Sequence, residues 1–241
     1  MSRLFEATVR SNVLQLQSDE LDWLSTGANG GPWRATAAYN ITVPEGWDET
    51  DLEAYTDQRR ANAGFKQQGP TLLTGVDQRH AHRAVLDPVE VVVTAGLSNP
   101  TTLPPTRSTA ATTEADETDV DAHTHQGTIN IIAGTTRDLS AGALANLIAV
   151  VTEAKTATLG RLTGFSGTTS DAVIVGSDPT GKRARFSGSA TPVGRAARAC
   201  VREALTAAVE SRYETEHVPE SVASAAYGCT TTVQATVSRI T

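Results

Sequence analysis

Cysteine is nearly absent: Cys200 and Cys229 are too few for the disulfide framework of a small secreted domain. No apolar run approaches the ~20 residues that a membrane helix needs. The opening Met1-Ser2-Arg3-Leu4-Phe5-Glu6 has an acid where a signal peptide would begin its apolar core. No secretory leader is expected, and the cytoplasm is the expected compartment. Basic charge is short as well, with a net charge of −7 and a pI near 5.2. Nucleic acid is therefore not expected as a partner, because phosphate binding needs a basic face. Lysine is the scarcest cation, present only as Lys66, Lys155 and Lys182, beside one methionine and four phenylalanines.

What remains is acid, arginine, threonine and small apolar residues. That mixture resembles proteins of organisms that keep salt inside the cell, where salt screens acidic self-repulsion and strengthens apolar burial. Hydrophobic residues at 39% and charged residues at 20% are ordinary for a globular chain. The 241 residues suffice for one domain with its own core.

Residues 4–10 and 13–17 read as short strands around a turn at Ser11-Asn12, and 33–43 as a third strand after the glycine turn Thr26-Gly27-Ala28-Asn29-Gly30-Gly31-Pro32. Residues 48–62 read as an acidic surface helix. The β-branched run 89–93 reads as a buried strand. Residues 101–126 carry Thr, Pro, Ala and acids with no hydrophobic period, and read as a mobile acidic insertion before a strand resumes at Gly127. Ser140 can cap a helix to about Gly160 with a stripe of Leu144, Leu147, Ile148, Val151 and Ala154. A polar glycine-containing loop over 160–167 and a strand over 171–175 follow. Thr191-Pro192 opens a second long helix over 191–212, with Cys200 on its apolar stripe. Residues 231–240 alternate and are expected to form a last strand. The class expected is α+β: a single domain over 1–241, with a mixed sheet and two long packed helices at about 140–160 and 191–212.

Gly176-x-x-x-x-Gly181-Lys182 has the spacing of a phosphate-binding loop, but Arg183 follows where Ser or Thr would ligate magnesium, so a hairpin turn at Asp178-Pro179 is expected. His80 and His82 would share a face on a strand and could begin a zinc site, but no third or fourth ligand is visible, so surface histidines are expected. His123 and His125, among the acids of the insertion, read as part of a solvated loop. Lys155 is more informative. It falls ~20° from Leu144 on the helical wheel, inside the apolar stripe, whereas Glu153 falls at about 180°. A buried lysine in a lysine-poor chain is either snorkelling or holding a substrate or a partner, for which Asp171 is a candidate.

Several segments in order resemble the adenosylcobinamide amidohydrolases of corrinoid salvage. They are Leu24-Ser25-Thr26-Gly27-Ala28-Asn29-Gly30-Gly31, Val93-Thr94-Ala95-Gly96-Leu97-Ser98-Asn99, Gly127-Thr128-Ile129-Asn130-Ile131-Ile132, Thr152-Glu153-Ala154-Lys155-Thr156-Ala157, Ser170-Asp171-Ala172-Val173-Ile174-Val175, Phe186-Ser187-Gly188 and Val193-Gly194. Together they span about residues 10–210. With the salt-adapted composition, a halophilic archaeon is the expected source. The resemblance implies hydrolysis of the amide of adenosylcobinamide to adenosylcobyric acid and 1-amino-2-propanol. The corrinoid enters as substrate, and neither a cofactor nor a metal is expected.

Amide hydrolysis needs an activated nucleophile, donors for the carbonyl oxygen and a proton for the leaving amine. Asp171 or Glu153 is the expected base for water, and Lys155 the group that polarises the carbonyl or protonates the amine. Asn99, Asn130 and backbone N–H groups near Gly96 and Gly127 are expected to bind the oxyanion or the corrin amides. Asn29, Thr94, Ser98, Thr128, Thr169 and Ser170 complete the expected substrate contacts. A covalent route through Thr94, Ser98, Thr128 or Ser170 stays open. So do a corrinoid-binding protein without turnover and a metal-dependent hydrolase built on His80 and His82.

Overall fold

The structure is a computed structural model that describes residues 3–44, 46–104 and 127–240. Strands β1 (Glu6–Arg10) and β2 (Val13–Ser25) form a hairpin, with Ser11 and Asn12 both at positive φ in the turn. That geometry matches the right-handed twist of the strands it joins. β3 (Gly31–Thr42) returns along β2, and helix α1 (Leu52–Asn62) crosses over to β4 (Thr71–Thr74), parallel to β3. A short 3-10 turn (Gln78–His80) leads into β5 (His82–Leu86) and β6 (Val89–Ala95). β7 (Pro100–Thr102) precedes the segment 105–126, so most of the expected acidic insertion, with His123 and His125, lies outside the described residues.

β8 (Ile129–Leu139) is followed by α2 (Ala141–Thr163), β9 (Gly167–Thr168), β10 (Ala172–Ala184), α3 (Pro192–Arg212) and β11 (Cys229–Thr230). The large sheet runs β4-β3-β2-β10-β8-β6-β5 with β1 beside β2, and β11-β7-β9 form a small second sheet. The mixed sheet and the two long helices make an α+β fold. Among the described residues no helix is long and apolar enough to cross a membrane.

Every residue of β6 is buried, so its side chains supply both faces of the sheet. Val89, Val91, Val93 and Ala95 face α2 and α3 with Ile131, Val173 and Val175, while Val92, Ile132 and Ile174 pack with Phe5, Leu16, Trp23 and Leu72 on the other side. The helices begin where their caps predict. The Ser140 hydroxyl accepts from Ala143 N at 3.3 Å, and the Thr191 hydroxyl from Gly194 N at 3.0 Å. Cys200 is buried on the inner stripe of α3 as expected, and burial pushes its thiol up to about 11.

Several expectations need correction. α2 does not stop at Gly160. It continues to Thr163 and ends at Gly164, whose φ of 81° supplies the left-handed cap that Gly160 does not. The turn at Asp178-Pro179 joins no hairpin. It is a bulge within β10, whose two halves both pair with β8 in parallel. Asp178 Oδ1 accepts from Thr180 N at 2.8 Å to close the bulge. A Cβ on Gly181 would lie 2.2 Å from the Thr136 carbonyl, so the crossing backbone requires glycine there. No phosphate loop forms. Residues 231–240 form no strand: the ladder ends at Thr230, with one further bond from Thr231 N to the Thr102 carbonyl at 3.0 Å, and Val233, Val237 and Ile240 are exposed. His80 and His82 sit on different elements. His80 Nδ1 meets Ser211 Oγ at 2.9 Å and His82 Nδ1 meets the His80 carbonyl at 3.0 Å.

Candidate active site

The strand directions collect several polar turns at one end of the sheet. β8 and β10 start there, and β2 and β6 end there. Between these turns and the β3–β4 crossover lies a cleft of about 270 Å³. Thr26, Thr74, Thr128, Ser170 and Asp171 give it polar walls, and Val43, Trp47, Leu52 and Leu73 give it apolar ones. A larger groove of about 560 Å³ runs over the outer faces of α2 and α3, but its lining includes no acid and none of the polar turns.

Lys155 points inward from α2, as the helical wheel requires, and pairs with Asp171. Their side chains are 7% and 13% exposed. Asp171 lines the cleft; Lys155 stands behind it. The carboxylate is held from four directions. Its Oδ2 also accepts from Thr168 N at 3.1 Å, and its Oδ1 accepts from Ile129 N at 3.2 Å and from the Thr168 hydroxyl. Four donors saturate a carboxylate. A Cβ on Gly167 would sit 2.6 Å from Asp171 Oδ2 and 2.8 Å from Lys155 Nζ, so the pair is packed against bare backbone.

Ser170 and Thr128 share a hydroxyl–hydroxyl contact at the cleft wall. The Ser170 hydroxyl donates to the Gly127 carbonyl at 2.8 Å and accepts from Asn99 Nδ2 at 3.3 Å. Asn99 also donates to the Thr169 hydroxyl at 2.6 Å. Gly127 lies so close to the 98–99 turn that a Cβ there would meet Asn99 Oδ1 at 2.1 Å. Ser98 Oγ and Asn99 Oδ1 are buried behind this wall without hydrogen-bond partners among the described residues.

Other expected site residues lie elsewhere. Glu153 is on the outer face of α2, bonded to Arg198 at 2.6 Å, with its side chain 58% exposed. Thr94 and Asn130 are buried in a network that ties the two halves of the sheet together. Asn40 Nδ2 donates to Thr94 Oγ1 at 2.9 Å, and Asn130 Nδ2 donates to Asn40 Oδ1 at 2.8 Å and to the Leu73 carbonyl at 2.9 Å. Gly96 packs under Val76, where a Cβ would come within 2.8 Å. Asn29 lines a small adjoining niche with Trp33 and Arg60. Sequence reasoning missed the role of Thr168, which holds Asp171 through both its N–H and its hydroxyl, and missed Trp47 altogether. Neither carries a periodic or spacing signal.

Two curated relatives are named adenosylcobinamide amidohydrolase. One, from Halobacterium salinarum, is 50% identical over 238 residues, covering 98% of this chain and 100% of its own length. The other, from Methanosarcina mazei, is 28% identical over 216 residues, covering 86% and 98%. A crystal structure of a Pyrococcus horikoshii protein matches with a TM-score of 0.45 at 11% identity, over 85% of this chain and 78% of that one. Residues 3–217 match the family described as adenosylcobinamide amidohydrolase, and the chain belongs to that family.

Proposed function

We propose that this chain hydrolyses the amide of adenosylcobinamide to adenosylcobyric acid and 1-amino-2-propanol, supplying corrinoid salvage in the cytoplasm. The observation that carries the reading is 50% identity, along 98% of the chain, to a curated enzyme of that name. The corrinoid is the substrate, and the scheme uses no further cofactor. The cleft at Asp171 suits the chemistry, because it places a partly buried carboxylate beside a hydroxyl pair and an apolar wall.

In this scheme Asp171 is the base. Its acceptor sites are filled at rest, but one is filled by a rotatable hydroxyl. Turning the Thr168 side chain frees a lone pair on Oδ1 for a water. Asp171 takes a proton from that water as the oxygen adds to the amide carbon. In this scheme the Ser170 and Thr128 hydroxyls turn from their resting acceptors to donate to the oxyanion that forms. The proton then passes to the leaving nitrogen, the C–N bond breaks, and the amine and a carboxylate are released. Lys155 fixes the carboxylate from behind. Of the hydroxyls open to a covalent route, Thr128 and Ser170 line the cleft. Ser170→Ala separates the two chemistries. The water route predicts reduced turnover, from loss of one oxyanion donor, by about 10²–10³-fold; a complete loss, with a trapped acyl-enzyme in the wild type, would show Ser170 to be the nucleophile.

A further inference from the structure

The three tryptophans of the chain differ in how their indole N–H groups are used. Trp23 Nε1 donates to the Ala35 carbonyl at 3.0 Å, and Trp33 Nε1 to the Asn29 carbonyl at 3.1 Å. Trp47 Nε1 is shielded from solvent and meets no acceptor among the described residues. Folded proteins leave few buried donors unpaired, and each exception calls for a missing partner. This indole also lines the cleft that contains Asp171, Ser170 and Thr128.

The ring is held in place there. It packs on Tyr55 of α1 with centroids 5.2 Å apart and planes inclined by 50°. Arg59 in turn fixes Tyr55, bonding its hydroxyl at 2.6 Å while also donating to the Thr42 carbonyl at 2.8 Å. The crossover between β3 and β4 therefore presents Trp47 to the cleft on a braced support. With Val43, Leu52 and Leu73 its ring gives the cleft an apolar wall, and its N–H stays covered until an entering ligand displaces what shields it. An indole nitrogen only donates, so the ligand group it suits is an acceptor such as an amide carbonyl, and not an amine.

We propose that Trp47 is a substrate-recognition residue, with its indole N–H donating to an amide carbonyl on the rim of the bound corrinoid. This rests on the reading of the cleft as the corrinoid-amide site. A polar group built to meet a substrate acceptor discriminates through binding, so its removal acts on KM before kcat.

The test compares the wild-type chain with Trp47→Phe, which keeps an aromatic ring and removes the N–H. Turnover of adenosylcobinamide and its dissociation constant, from the corrin absorbance, are both measured. The expected result is a rise of about ten-fold in KM and in the dissociation constant, with kcat within about two-fold. Unchanged values would overturn the proposal. If the wild type binds the corrinoid but releases no amine, the hydrolase reading fails, and the dissociation constants alone decide the role of Trp47. If the wild type does not bind, both fail. A second readout needs no variant: with the indole nitrogens of the wild type labelled, addition of adenosylcobinamide is expected to shift one of the three Nε1–H resonances downfield. Three unmoved resonances would overturn the proposal.

Discussion

Asp171 and Lys155 are the only buried ion pair beside the cleft among the described residues, and their burial makes them interdependent. Removing one partner of such a pair strands the other charge, at a cost of about 3–5 kcal/mol, whereas removing both is far better tolerated. Asp171→Asn is therefore expected to lower unfolding stability by that amount and turnover by about 10²–10⁴-fold. Adding Lys155→Met should restore the denaturation midpoint without restoring amine release. Recovery of both would make the pair structural only. Lys155 was legible in the sequence because a rare residue fell on an apolar stripe, where periodicity speaks. Thr168 was not, because its role depends on a turn folding back onto Asp171. The two thiols give a separate check. Cys200 is buried, with its thiol raised to about 11, and Cys229 is exposed. A thiol reagent at pH 8 should modify one cysteine in the native protein and two after unfolding; rapid modification of both in the native state would contradict the packing of α3.

The two long helices were readable because their signals are local: a capping hydroxyl, a proline at the first turn and an apolar stripe. Boundaries set by backbone conformation were less so. Gly160 and Gly164 look alike in sequence, and only the positive φ of Gly164 ends α2. The bulge in β10 was hidden for a related reason, since Asp-Pro-Thr-Gly is good turn chemistry whether or not the chain reverses. The short strands β4, β5, β7 and β9 have too few residues to show a period. At the start of α3, a Cβ on Gly194 would lie 2.1 Å from the Gly188 carbonyl. Gly194→Ala should therefore push the helix away from the preceding loop and destabilise the protein by about 1–3 kcal/mol, read from a denaturant melt. An unchanged midpoint would mean that the loop yields freely.

The sheet as a whole could not be derived from local patterns. Its order brings β10 between β2 and β8, and the Asn40–Thr94–Asn130 network forms only when strands distant in sequence meet. That closure buried Thr94 and Asn130, which the sequence had suggested as substrate contacts, and left Thr128 and Ser170 at the cleft. Composition, by contrast, is a property of the entire chain and was read directly. A net charge of −7 with three lysines suits concentrated salt, and a relative at 50% identity comes from Halobacterium salinarum. The melting temperature is expected to rise from 0.1 M to 2 M KCl as self-repulsion is screened and apolar burial strengthens. Equal melting temperatures would contradict the salt-adapted reading.

The central claim is the reaction itself. Purified protein incubated with adenosylcobinamide in high salt, with the products followed by mass spectrometry, is expected to release 1-amino-2-propanol and adenosylcobyric acid in equal amounts. Intact adenosylcobinamide that binds, visible in the corrin absorbance, but yields no amine would contradict the account and make the chain a corrinoid-binding protein.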